Sequence, residues 1–203
     1  MKKKINTQIK KINEMDKDFQ KLNQEFKNYE KTRNIILDKS REIIKKSKQI
    51  IYTVHRSNIP EAKKLIKNVE IELLTLNKKF NVNKLISYNL YKGSLQEYVE
   101  ARTFLDFILI GKISTSSKLK INYHDYLCGL ADLTGELGRY AVMSATKNDF
   151  KKVIEIKEFV DYILGKFLKF DFSNGELRKK YDAIKWNLNK IEGIVYDYSL
   201  RKK

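Results

Sequence analysis

One cysteine, one proline and eight glycines in 203 residues leave little for a β-rich or disulfide-bonded fold to use. Sandwiches and barrels need many tight turns, and tight turns need proline and glycine. Cys128 has no second cysteine to pair with, which excludes a disulfide framework. Long apolar runs are missing as well. The most apolar stretch, Phe104 to Ile110, contains Asp106 and stops at Gly111-Lys112, far short of the ~20 residues a spanning helix needs. Behind Met1-Lys2-Lys3-Lys4 no apolar segment of a signal peptide follows, because Asn6, Gln8, Lys10 and Lys11 interrupt at once. The expectation is a helical, cytoplasmic protein with no membrane partner.

Familiar catalytic signatures are also lacking. There is no glycine-rich phosphate loop and no G-x-S-x-G, which disfavours a nucleotide-hydrolysing motor and a serine hydrolase. The two histidines, His55 and His124, sit in no E-x-x-H arrangement, which disfavours a di-iron bundle. His55 reads as a helix-end or surface residue and His124 as a cap near a helix start. Cys128, one helical turn after His124, reads as a packed core residue.

What the chain has in excess is positive charge, 42 Lys and Arg against 25 Asp and Glu, for a net +17. The excess is concentrated in the first half: residues 1–92 carry 23 basic and 10 acidic side chains, residues 93–203 carry 19 and 15. Such asymmetry favours a polyanionic partner, nucleic acid first and an anionic membrane second. A merely lysine-rich, solubilising surface is the plainer reading. Twelve tyrosines would suit stacking on unpaired bases, although core packing accounts for tyrosine equally well.

Periodicity organises the chain into helices. Residues 1–13 are polar and read as frayed or as an added turn. From Phe19 the apolar positions Leu22, Phe26, Tyr29, Ile36, Ile43, Ile50 and Val54 recur at three, four or seven, with Arg33, Ser40 and Ser47 in the remaining seam positions. That predicts an amphipathic helix of about 40 residues, roughly 60 Å long. Ser40 and Ser47 are small enough to admit a neighbouring helix. Ser57-Asn58-Ile59-Pro60 ends the helix and starts the next, over about 61–79. Residues 80–93 are ambiguous, with Gly93 closing a loop. Further helices are expected over about 94–113, 122–145, 148–169 and 176–200, with a loop at Ser114-Thr115-Ser116-Ser117 and a turn at 171–175. Neither a repeat nor a linker is visible, so the whole chain reads as a single all-α domain, a bundle with one very long N-terminal helix.

Two of these helices carry acids in helical phase. Glu97 and Glu100 are at i, i+3, and Asp132 and Glu136 at i, i+4, so each pair shares one face. If the faces meet, four carboxylates converge and need a compensating cation, for which oxygen ligands favour Mg²⁺ or Mn²⁺. Asp125, Gly129, Asp132, Glu136 and Arg139 form one stripe beside an apolar stripe of Tyr126, Leu130, Leu133, Leu137 and Ala141. Gly129 and Gly135 each cost about 1 kcal/mol against alanine in a helix, which points to close approach by a backbone or a ligand. Spacing alone leaves a metal site and two ordinary solvated faces both open.

Longer motifs add a resemblance. Leu95-Gln96-Glu97-Tyr98-Val99-Glu100-Ala101 resembles the signature of translin-associated factor X. So does Asp125-Tyr126-Leu127-Cys128-Gly129-Leu130-Ala131-Asp132-Leu133-Thr134-Gly135-Glu136-Leu137, which matches that family's D-Y-L-x-G-x-A-D-L-T-G-E-L stretch. Leu177 to Asp182 and Lys190 to Arg201 resemble translin itself. The resemblance covers about residues 20–201. It implies about seven helices, assembly into a hollow and usually octameric shell, and binding of single-stranded RNA or DNA. The factor-X branch is a metal-dependent endoribonuclease, whereas translin lacks the acidic set. The branch's catalytic acids map onto Glu97, Glu100, Asp132 and Glu136, so the resemblance assigns these four the catalytic and Mg²⁺- or Mn²⁺-binding roles.

The expectation is therefore a metal-dependent endoribonuclease of single-stranded RNA, built as a homo-oligomer, with an octamer implied. Arg139, Arg56 and Arg102 are the expected RNA contacts; Arg139, at i+3 from Glu136, equally suits a salt bridge to it. The alternatives are a single-strand-binding shell without catalysis and an assembly scaffold whose charge only solubilises.

Overall fold

The computed structural model describes residues 2–81 and 87–201, with side chains over 13–81 and 87–200. The described residues form seven helices and no strand: α1 (Lys2–His55), α2 (Ile59–Lys79), α3 (Asn89–Ile110), α4 (Ser116–Leu119), α5 (Tyr123–Thr146), α6 (Phe150–Phe167) and α7 (Glu176–Arg201). They divide into two compact units, residues 1–39 and 40–203.

In the first unit helix begins at Lys2, so of the two readings of residues 1–13 the added helix is the one seen. Met15, Phe19, Leu22, Phe26 and Tyr29 recur at alternating spacings of four and three and are all exposed, forming an apolar stripe along one face. Glu30 and Arg33, 3.6 Å apart, and Lys21 and Glu25, 3.9 Å apart, pair along the helix.

The second unit opens with the remainder of α1, where Ile43, Ile50 and Val54 are buried and the small Ser40 and Ser47 are fully buried among them. Ser57, in the left-handed region at φ 59°, turns the chain, Asn58 accepts a hydrogen bond from the Glu61 N–H, and Pro60 occupies the first turn of α2. Helix α2 buries Ala62, Ile66, Val69, Leu73 and Leu76, one side chain per turn, and packs on α3. Helix α5 is central, against α3, α6 and α7. Val99, Phe104, Leu133, Leu137, Ile156, Val160, Ile184 and Ile191 fill the space between these helices. At about 25 cal/mol per Å² of apolar surface, that burial is the main force holding α5 in place.

Four boundaries differ from the periodicity. α3 starts at Asn89, so Gly93 lies inside it: a Cβ there would meet nothing within 4 Å, and the glycine neither breaks nor crowds the helix. The expected serine loop contains α4, which Thr115 starts by accepting from the Lys118 N–H. α5 is capped by Asn122, which accepts from the Asp125 N–H, and not by His124. α3 ends at Ile110, short of the expected 113, because Gly111 at φ 65° closes it in the left-handed conformation.

A four-carboxylate candidate site

The acid-bearing faces of α3 and α5 meet. Gly129 sets how closely: a Cβ there would lie 2.6 Å from the Gln96 carbonyl oxygen and 2.6 Å from Val99 Cβ. Close approach is therefore real at Gly129 but not at Gly135, where the nearest atom, Asn187 Nδ2, would be an ordinary 3.6 Å away. With the helices so close, Glu100 feels all three other acids. Burial, then the charges of Asp132, Glu97 and Glu136, push its carboxyl up to about 8, with Lys180 opposing only in part. Glu97 is also raised, by burial first and by Asp132, against the pull of Lys48.

Three of the four acids carry a cationic or imidazole partner from another helix. Lys180 of α7 donates to both oxygens of Asp132, at 2.5 and 2.6 Å. Burial works against the Lys180 ammonium, but the hydrogen bond and charge of Asp132 outweigh it and raise its pKa. Lys48 of α1 lies 3.3 Å from Glu97. His55, the last residue of α1, places Nε2 2.5 Å from Glu136 Oε2. Glu100 alone has no hydrogen-bonding or ion-pair partner among the described residues.

Sequence reasoning missed these three partners. His55 is at the helix end as expected, but it is buried and packed on Phe104 and Tyr140, with ring centroids 4.9 and 5.9 Å away. The available signal was the seven-residue spacing of Lys48 and His55, which puts both on one face of α1. Of the three arginines, Arg139 lies 3.7 Å from Glu136. Arg56 stacks over the Tyr52 ring at 4.5 Å. Arg102 points elsewhere, donating to Glu70 at 2.7 Å and Asp106 at 3.1 Å, and joins α2 to α3. Cys128 is fully buried, and burial pushes its thiol up to about 12, out of range for a nucleophile at neutral pH.

Beside Glu97 the outer face of α1 carries a shallow, open depression lined by Arg41, Ile44, Lys45, Lys48, Gln49 and Tyr52. Lys48 belongs to both depression and carboxylate cluster.

Residues 31–202, nearly the whole of the second unit included, match the translin family. The chain belongs to that family. Among its translin-family relatives, the translin-associated protein X homolog of Schizosaccharomyces pombe is 27% identical over 87% of both chains. The translin-associated protein X of Pongo abelii is 28% identical over 80% of this chain and 70% of that one. Chicken translin is 38% identical over 81 residues, and the match spans only about a third of that protein's length, 35%. Among solved structures, AfC3PO bound to duplex RNA superposes with a TM-score of 0.79 at 26% identity, covering 90% of this chain and 97% of that one. The apo-NeC3PO structure, with a TM-score of 0.81 at 24% identity, shares the fold.

The donor set of this translin-family site fits a hard divalent cation. All four groups are carboxylates, and the most buried of them has no positive partner to balance it. Lys48 is mostly exposed, 64%, so its hold on Glu97 is easily exchanged.

The same imbalance sets a pH dependence for the metal-free protein. Glu100 holds its proton more tightly folded, at about 8, than at its ordinary value of 4.5. Its contribution to stability is complete below the ordinary value, is lost as pH rises toward 8, and levels off above that. The total is at most roughly 5 kcal/mol. Urea midpoints in EDTA are expected to fall between pH 5 and pH 8, and Glu100→Gln is expected to flatten that fall. Parallel curves for the two proteins would show that Glu100 ionises as freely as a surface acid.

Proposed function

We propose that this protein is a metal-dependent endoribonuclease that cuts single-stranded RNA. The observation that supports this most is the convergence of Glu97, Glu100, Asp132 and Glu136 from two helices around a carboxyl with no balancing cation. Glu97, Glu100, Asp132 and Glu136 would hold Mg²⁺ or Mn²⁺, which when bound supplies a Lewis acid for the phosphodiester and a more acidic water. The chain's own residues do the rest. His55 holds Glu136 by one oxygen, and Lys180 fixes the plane of Asp132 by contacting both of its oxygens. Whichever of Glu100 and Glu136 is not a ligand would orient the attacking water and accept its proton.

The α1 depression suits the substrate. Lys45 and Lys48 offer charge to phosphates, Tyr52, half exposed, offers a stacking face, and Arg56 braces that face. Lys48 lies 3.3 Å from Glu97, so a phosphate held by Lys48 would sit beside the carboxylates. Arg139, 64% exposed, reaches the cluster from the other end through Glu136. Trp186, Tyr196 and Leu200 stay exposed along α7, in keeping with assembly into a homo-oligomer, an octamer by analogy with the family. The one cysteine, free and buried, suits a reducing cytoplasmic setting. No helix among the described residues is long and apolar enough to cross a membrane.

A related structure holds duplex RNA, so the test includes both forms. End-labelled single-stranded and duplex RNA are incubated with the protein in Mg²⁺, in Mn²⁺ and in EDTA, beside a Glu97→Ala/Asp132→Ala variant. Cleavage of the single strand that needs metal and is absent from the variant, with RNA binding retained, is the expected result. Tight binding without cleavage in either metal would leave a non-catalytic RNA-binding shell.

A further inference from the structure

A second cluster lies one helical turn from the carboxylates, and the reaction proposed above makes no use of it. His124 and Cys128 are at i, i+4 on α5, and Glu176 opens α7 beside them. His124 Nδ1 is 3.9 Å from Cys128 Sγ, and His124 Nε2 is 3.8 Å from Glu176 Oε2. One ligand atom can be taken from each of the three so that all lie within 4.8 Å of one another. A tetrahedral ion with bonds of about 2.0–2.3 Å holds its ligands about 3.3–3.8 Å apart, so the side chains need only a small closing movement.

Residue chemistry separates this cluster from its neighbour. Four carboxylates select a hard ion; a thiol, an imidazole and one carboxylate select a borderline one such as Zn²⁺. The surroundings also suit an ion. Cys128 is buried, whereas His124 and Glu176 are 30% and 49% exposed, which leaves an entrance and room for a water as fourth ligand. Asp125 Oδ1 sits 3.5 Å from His124 Nδ1. Its own oxygens already accept from Gln96 at 3.2 Å and Asn122 at 2.7 Å. Asp125 is thus a fixed, buried carboxylate that faces Nδ1, the same ring nitrogen that faces Cys128, and with both of its oxygens engaged it is not a fourth ligand.

We infer that His124, Cys128 and Glu176 form a second metal site, for Zn²⁺ or a similar borderline ion, distinct from the four carboxylates. As the metal–sulfur bond forms, the thiol proton passes to solvent. The ion ties the start of α7 to α5 one turn before Lys180 and Asp132, which are i+4 from Glu176 and Cys128. Its effect is to hold the Lys180 bridge in register.

The test uses the untagged full chain, stripped of metal and titrated with Co²⁺, whose bond to a thiolate gives a charge-transfer band in the near ultraviolet. One equivalent is expected to saturate the band, and Zn²⁺ to displace it. Cys128→Ser should abolish it. His124→Ala and Glu176→Gln, both at partly exposed positions that tolerate change, should weaken Co²⁺ binding at least tenfold. Glu97→Gln/Asp132→Asn should keep the band, which separates this site from the one proposed for cleavage. The inference fails if the wild-type chain shows no band. It also fails if His124→Ala and Glu176→Gln bind as tightly as the parent, or if the carboxylate variant loses the band.

Discussion

Glu100→Gln is expected to lose RNA cleavage by about 10³-fold or more while becoming more stable than its parent at pH 8. Both effects have one cause. Glutamine is nearly the same shape as glutamate but carries no charge, so it relieves the repulsion from Asp132, Glu97 and Glu136 that burdens Glu100. The same change removes the one of the four carboxylates that has no protein partner among the described residues and is best placed to take a metal ion. Functional sites commonly hold such destabilising groups, and neutralising them trades activity for stability. The check is a pair of measurements on one preparation: initial cleavage rate in Mg²⁺ and urea midpoint in EDTA, both at pH 8. A variant that gains stability yet cleaves like the parent would remove Glu100 from the chemistry. One that loses both would mark it as a structural residue.

Gly129→Ala is expected to destabilise the protein by about 1–3 kcal/mol, although alanine is the better helix former. The added methyl would sit 2.6 Å from the Gln96 carbonyl oxygen and from Val99 Cβ. One of these is backbone and the other is fixed to it, so neither can turn aside, and α3 and α5 must separate. In a chain of this size the loss corresponds to a melting temperature lower by roughly 3–10 °C. Since the acid pairs ride on these two helices, cleavage should fall as well. Gly135→Ala is the control, because its methyl would meet only Asn187 Nδ2 at 3.6 Å, and it should be neutral or slightly stabilising. Equal melting temperatures for the two variants would mean that the helices tolerate a wider spacing.

That each pair of acids shares one face of its helix was legible in the sequence because it follows from helical phase, a local property of 97–100 and 132–136; that the two faces meet was left open by spacing. The close approach at Gly129 was legible for a similar reason: a helix former was missing where one was affordable. Gly135 offered the same signal and carries no such contact, because propensity records a cost without naming its cause. The partners of the acids were not legible. Lys48, His55 and Lys180 stand on helices remote in sequence from their carboxylates; the spacing of Lys48 and His55 puts those two on one face of α1, but nothing local ties that face, or Lys180, to the acids. Convergence of the acids implied a compensating cation, and it read as a metal ion. The fold itself supplies three partners, which narrows the case for the ion to Glu100. The helix start at Asn89 was missed because Tyr88 before it makes no side-chain cap that would announce it.

The partners of Asp132, Glu97 and Glu136 come from opposite ends of the second unit, Lys48 and His55 from its first helix and Lys180 from its last. A nascent chain emerging from the ribosome therefore carries α3 and α5, with all four acids, before Lys180 has been made. Until α7 arrives, Asp132 has no ammonium, and like charges oppose the docking of α3 on α5. The arrival of the last helix relieves that repulsion by bringing Lys180 to Asp132. Synthesis order thus works as an interlock: a chain cut before α7 is expected to dock α3 on α5 less firmly than the finished fold, because Asp132 then lacks its ammonium.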